Sequence, residues 1–122
     1  MEQDPQAKKV DNLAGYQVLW SSDAREDLFD IPEAIAETII EKTGQRLVNL
    51  PHYVGQPLKG TTRKLWKLRF GKYRLVYSIN SRYKEVYILA ITNRDAVYRN
   101  NAIQSLLKLA IALHERSKQS GL

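Results

Sequence analysis

The 122-residue chain carries a formal net charge of +6, with 43% hydrophobic and 26% charged residues, the make-up of an ordinary globular unit with one modest core. It has no cysteine, which excludes disulfides and thiolate metal sites, and no apolar run near the roughly 18 residues of a membrane span. The opening MEQDPQAKKVDN lacks the apolar stretch of a secretory signal, so a cytoplasmic protein without membrane contact is expected.

Residues 1–14 are polar and aperiodic and read as a flexible tail, leaving residues 15–122 for a single domain. Tyr16 to Ser21 is aromatic and β-branched enough for a first strand. Asp23 can cap a short helix running to Asp30. Pro32 suits the first position of a second helix that runs to Leu50, with Ile31, Ile35, Ile39, Leu47 and Leu50 near helical spacing. Pro51, Gly55, Pro57 and Gly60 mark a loop, after which the period changes. RKLWKLRF, KYRLVYSI and EVYILAIT read as an antiparallel meander turned at Gly71-Lys72 and at Asn80 to Lys84. From about Asn100 to Ser117, Ile103, Leu106, Leu107, Ala110 and Leu113 share one side of an amphipathic helix. The order is β-α-α-β-β-β-α: a two-layer α+β domain, an antiparallel sheet with two N-terminal helices packed on one face and a C-terminal amphipathic helix.

The charge is unevenly spread. Residues 1–50 hold five basic and ten acidic side chains, whereas residues 59–99 hold eleven basic and two acidic ones. A two-residue turn at Gly71-Lys72 fixes the register of the central hairpin, pairing Trp66 with Tyr77, Lys67 with Val76, Leu68 with Leu75, Arg69 with Arg74 and Phe70 with Tyr73. Side chains alternate across a sheet, so Trp66, Leu68, Phe70, Tyr73, Leu75 and Tyr77 form the apolar face, and Lys67, Arg69 and Arg74 gather on the other. Like charges directly opposite cost up to ~1 kcal/mol, which a bound phosphate held by guanidinium forks would offset. A solvated basic face is the alternative reading. His52 and His114 have no third partner at metal-binding spacing, so no metal is expected. Asp23, Glu26, Asp27 and Asp30 read as a solvated helix face.

The segments GQPLKG, LWKLRFGKYRLVYSI and VYILAITNRDAVY, in this order and spacing over about residues 16–99, resemble the RelE/ParE toxins of type II toxin-antitoxin systems. The resemblance implies a RelE/ParE-like fold and, for RelE-like members, ribosome-dependent cleavage of messenger RNA with no cofactor and no metal. It places Arg74 where the family's arginine holds the scissile phosphate, Lys67 where a strand lysine serves proton transfer or charge stabilisation, and Arg94 and Tyr98 at the later arginine and tyrosine. Lys59, Arg63, Lys64 and Arg69 are the further RNA-binding candidates in the cationic field. The best-known members carry another lysine where Leu65 stands, and the interval between the last arginine and tyrosine varies among members. The partners implied are a cognate antitoxin protein, messenger RNA and the ribosome. Within the same fold, a ParE-like inhibitor of DNA gyrase and a noncatalytic RNA-binding or interaction module are the alternatives, and Leu65 is the feature that keeps the second of these open.

Overall fold

The structure is a computed structural model that describes residues 15–99 and 101–120; the expected tail, residues 1–14, lies outside them. The elements are β1 (Gln17–Trp20), α1 (Ser22–Phe29), α2 (Glu33–Leu47), α3 (Pro51–Val54), β2 (Gln56–Pro57), β3 (Trp66–Phe70), β4 (Tyr73–Asn80), β5 (Glu85–Asn93), a 3-10 turn (Arg94–Tyr98) and α4 (Ala102–Ser120). The strands make one five-stranded sheet in the order β1-β5-β4-β3-β2. The α+β class holds, and the expected element order holds with two additions in the expected loop, the helical turn α3 and the edge strand β2. The β3–β4 register matches the expected one at all five pairs. Gly71 supplies the positive φ, 57°, that the hairpin turn requires.

The sheet differs from the expected one in two respects. It is mixed, because β1 lies parallel to β5, Gln17 beside Glu85 through Trp20 beside Ile88. A strand joined to its neighbour only after three helices and three strands can re-enter the sheet from the same end. The second difference is in the layers. The helices α1 and α2 bring Ala24, Ile31, Ala36, Ile39 and Leu47 onto the face of Trp66, Leu68, Leu75, Tyr77, Val86, Ile88 and Ile91. In contrast, α4 lays Ile103, Leu106, Leu107, Ala110 and Leu113 on the opposite face, against Leu58, Leu65, Val76, Tyr87, Leu89 and Val97. Both faces have an apolar centre, so one layer of helices leaves the second uncovered.

Helix α1 is capped by Ser21, two residues before the expected cap at Asp23. Its hydroxyl accepts from the Ala24 amide at 3.1 Å and donates to the Leu89 carbonyl at 3.2 Å. Asp27 belongs to the packing as well: its carboxylate accepts from the Ile91 amide at 2.9 Å. Since β1 stops opposite Ile88, these two side chains of the α1 segment satisfy backbone groups of β5 that would otherwise form a bare edge. Burial pushes the Asp27 carboxyl up, the Ile91 amide pulls it down, and Asp23, Asp30 and Glu26 add to the rise.

Helix α2 ends at Leu47, short of Leu50. The proline at 51 drives Leu50 out of the helical region, to φ −130° and ψ 67°, and itself opens the single turn α3. Leu50 is thereby exposed; within α2 the buried side runs through Ala36, Ile39, Thr43 and Leu47, which leaves Ile35 exposed. At Gly55 the main chain touches β3 and β4 so closely that a Cβ would overlap the Tyr77 hydroxyl and lie 2.6 Å from the Lys67 carbonyl. Tyr77 meanwhile donates to the Pro51 carbonyl at 2.8 Å.

Candidate functional site

The basic residues converge at the hairpin end of the α4 face. Arg69 is exposed on β3 directly opposite the half-buried Arg74 on β4, and Thr92 stands next in the row on β5. Arg74 Nη1 donates to the carbonyls of Gly71 at 2.8 Å and Tyr73 at 3.0 Å, so neutral acceptors fix one edge of its guanidinium. The Thr92 hydroxyl is buried in this row and has no hydrogen-bond partner among the described residues. Sequence reasoning missed it because the β4–β5 register carries a bulge, Val76 pairing with Ala90 and Tyr77 with Ile88.

Lys67 lies diagonal to Arg74 on the same face, within reach of a long side chain. Its Nζ is 6.0 Å from the centre of the Tyr98 ring, a cation–π contact between β3 and the 3-10 turn. Tyr98 is 40% exposed, so its ring offers an open side next to the lysine. Two anchors hold that turn. Val97 is buried among Leu58, Leu65 and Leu89, and the Arg94 amide donates to the Lys72 carbonyl at 2.7 Å. The second bond ties Arg94 to the hairpin tip and requires a positive φ of 40° at a non-glycine residue. Lys67, Arg69, Arg74, Arg94 and Tyr98 thus share one end of the sheet.

The other candidates lie elsewhere. Lys59, Arg63 and Lys64 are exposed on the loop that enters β3 at Trp66, at the end of the strand away from the hairpin turn. Arg63 sits 5.9 Å from the Trp66 ring, and Arg63 and Lys64 line a hollow with Ser78, His114 and Ile111 beside α4. Leu65 is fully buried in the core beneath α4. In this chain that position packs the helix and presents nothing to the cationic row. Trp66 and Tyr77 stack at 6.5 Å on the apolar face, as core.

His52 and His114 have separate surroundings. His52 Nε2 meets the Ser81 hydroxyl at 3.4 Å, and its ring stands edge-on to Trp66 at 5.5 Å. His114, on α4, is 2.8 Å from the Ser78 hydroxyl and 5.0 Å from the Tyr87 ring. Tyr87 and Ser117 both donate to Glu85, so a polar network seats the far half of α4 on the sheet. Burial lowers the His114 imidazole, partly countered by Glu85; burial and the Glu85 bond push the Tyr87 phenol up to about 12.

The comparisons with known proteins agree with this architecture. A family model for the ParE toxin of type II toxin-antitoxin systems, parDE, matches residues 18–98. The chain is 38% identical over 86 residues to the toxin RelE of Mycobacterium tuberculosis, covering 70% of this chain and 89% of that one. It is 33% identical over 84 residues to the toxin RelG of the same organism, covering 69% and 97%. Among solved structures it is similar to a chain of a RelBE toxin-antitoxin complex from M. tuberculosis, with a TM-score of 0.61 and 32% identity over 67% of this chain and 94% of that one. In fold alone it is similar to a mutant Escherichia coli toxin RelE in the free state, with a TM-score of 0.61 and 17% identity over 77% and 96% of the two chains. The sheet order, the hairpin register and these likenesses together place the chain in the RelE/ParE superfamily, the toxins of type II toxin-antitoxin systems.

Proposed function

We propose that the protein is an endoribonuclease that cuts messenger RNA on the ribosome, with Lys67, Arg74, Arg94 and Tyr98 as its catalytic groups. The observation that supports this reading most is the gathering of cationic and aromatic side chains at the hairpin end, where Arg69 faces Arg74 and Lys67 meets Tyr98. In the reaction, the 2′-oxygen attacks the adjacent phosphorus and the bond to the 5′-oxygen breaks. The 2′-hydroxyl proton leaves to a base, a proton reaches the departing 5′-oxygen, and the products end in a 2′,3′-cyclic phosphate and a 5′-hydroxyl. Arg74 and Arg94 offset the charge that accumulates on the phosphorane, the kind of electrostatic contribution that dominates many enzyme sites. Lys67 transfers protons or adds to that field, and Tyr98 stacks on a base and orients the sugar. These side chains carry the mechanism without a metal or a cofactor.

The free toxin is held by a cognate antitoxin in the cytoplasm, whose acidic or amphipathic segment covers the basic end. Induction of the chain from a tight promoter, with mapping of transcript 5′ ends, tests the proposal. New ends that vanish in Arg74→Ala and weaken in Tyr98→Phe are expected. Growth arrest with no new ends and with altered plasmid supercoiling would instead favour inhibition of DNA gyrase, the reading that the match to the ParE family model supports. Absence of arrest would favour a noncatalytic module on the same fold.

A further inference from the structure

The strands β1 and β5 are parallel and begin at the same end of the sheet, where β4 finishes and β3 starts, opposite to the Gly71-Lys72 turn. Three cation–π pairs collect there: Lys84 Nζ at 5.0 Å from the Tyr16 ring, Arg82 at 5.6 Å from Tyr83, and Arg63 at 5.9 Å from Trp66. The His52 ring bridges two of the aromatics edge-on, at 6.3 Å from Tyr16 and 5.5 Å from Trp66. Arg63, Arg82 and Lys84 are exposed, Tyr16 and Tyr83 are half-buried, and an open hollow lies between Tyr16, Tyr83 and Lys84.

Folding does not ask for this composition. Lys84 adopts a φ of 56°, where glycine is unstrained and lysine is not, and the turn already closes through the Tyr83 amide and the Asn80 side chain at 3.1 Å. The Trp66 ring is enclosed in the core and only backs Arg63, whereas Lys84 and Arg82 stand beside the half-open rings of Tyr16 and Tyr83. Cations beside such rings are what a single strand of nucleic acid binds: phosphates take the charges, bases stack on the rings, and sequence matters little. An acidic peptide would use the charges and leave the rings idle.

We propose that this end of the sheet is a second RNA-binding surface, a stacking platform that holds the strand flanking the cut. It rests on the RNA-cleaving reading given above. Arg74 and Asn80 are six residue steps apart along β4, so the platform lies about 20 Å from the phosphate-gripping end. An RNA strand running along the protein meets both.

The test is the affinity of the full-length protein for a short, fluorescein-labelled, fully 2′-O-methylated RNA, which has no 2′-hydroxyl to react, over a range of salt. Arg82→Ala with Lys84→Gly is expected to weaken binding about ten-fold and to flatten the slope of log affinity against log salt by about 1.4, the loss of two phosphate contacts. Lys84→Gly relieves a positive φ, so thermal melting of this variant controls for folding. Tyr83→Ala is expected to weaken binding about ten-fold without changing the slope, through lost stacking. Arg82→Lys with Lys84→Arg restores both quantities. Unchanged affinity in the first two variants, while Arg74→Ala with Arg94→Ala weakens binding, would overturn the platform and leave the cleavage reading standing. Failure of the wild-type protein to bind the oligonucleotide at low salt would overturn the platform, while the mapping of transcript 5′ ends decides the cleavage reading separately. Loss in the charge variant alone, with polyglutamate bound as tightly as RNA, would overturn the platform in favour of an acidic protein partner.

Discussion

Arg69 and Arg74 stand directly opposite each other across β3 and β4, and the Arg74 guanidinium donates to two backbone carbonyls. Two like charges in register cost up to ~1 kcal/mol, so Arg69→Thr should melt higher than wild type in phosphate-free buffer. Added phosphate or sulfate should stabilise the wild-type protein more than this variant. Equal stabilisation of both by the anion would contradict phosphate binding between the two guanidinium groups.

The side chain at position 65 is enclosed by the α4 core, which makes Leu65→Lys a test of structure more than of catalysis. An ammonium placed there has no partner and excludes itself from the apolar cluster. Denaturant unfolding should show a loss of about 3 kcal/mol or more, with no gain in RNA cleavage. A stable and more active variant would show that the side chain can swing out to the cationic row.

At Gly55 the constraint is space, since φ is −112°, which any residue can adopt. Gly55→Ala has to push apart the Tyr77 hydroxyl and the Lys67 carbonyl, at a cost of about 1–3 kcal/mol. Tyr77→Phe in the same background should return part of the loss, because the clashing hydroxyl is gone. Chemical denaturation of the two single variants and the double variant measures the recovery.

His114 makes stability depend on pH. Burial lowers its imidazole below the ordinary ~6.5, so between that value and the lowered one the unfolded chain binds a proton that the folded protein refuses. Stability therefore falls as pH drops from ~6.5, and returns as pH rises. The difference between wild type and His114→Gln isolates this group from Glu85 and Tyr87, which face it, and from the acidic residues of α1. Melting curves from pH 7 to pH 5 should fall more steeply for the wild type than for the variant.

The local pattern carried most of the architecture. A two-residue turn with glycine fixed the β3–β4 register, and with it the side of the sheet on which Lys67, Arg69 and Arg74 meet. Periodicity found the buried side of α4 because its apolar positions repeat at helical spacing. What escaped depends on long-range contacts. Asp27 looked like a solvated residue because its partner, the Ile91 amide, is 64 positions away. The same holds for the cap at Ser21, whose second bond goes to β5, and for the placement of α4 on the second face, since an amphipathic pattern specifies a buried side but not the surface that buries it. Arg63 and Lys64 were grouped with the cationic row because charge along a chain says nothing about which end of a strand it reaches.

The parallel seam between β1 and β5 bears on how the toxin comes into being. Ser21 and Leu89, at the end of that seam, are separated by 68 positions, whereas Thr92 joins Arg74 through the adjacent β4–β5 hairpin. Non-local pairing of this kind slows folding, since a long loop must close before any contact rewards it. The meander that carries Arg69, Arg74 and Thr92 closes through short hairpins, so the basic row can form early, and sealing the distant β1 seam is the slow step that completes the toxin.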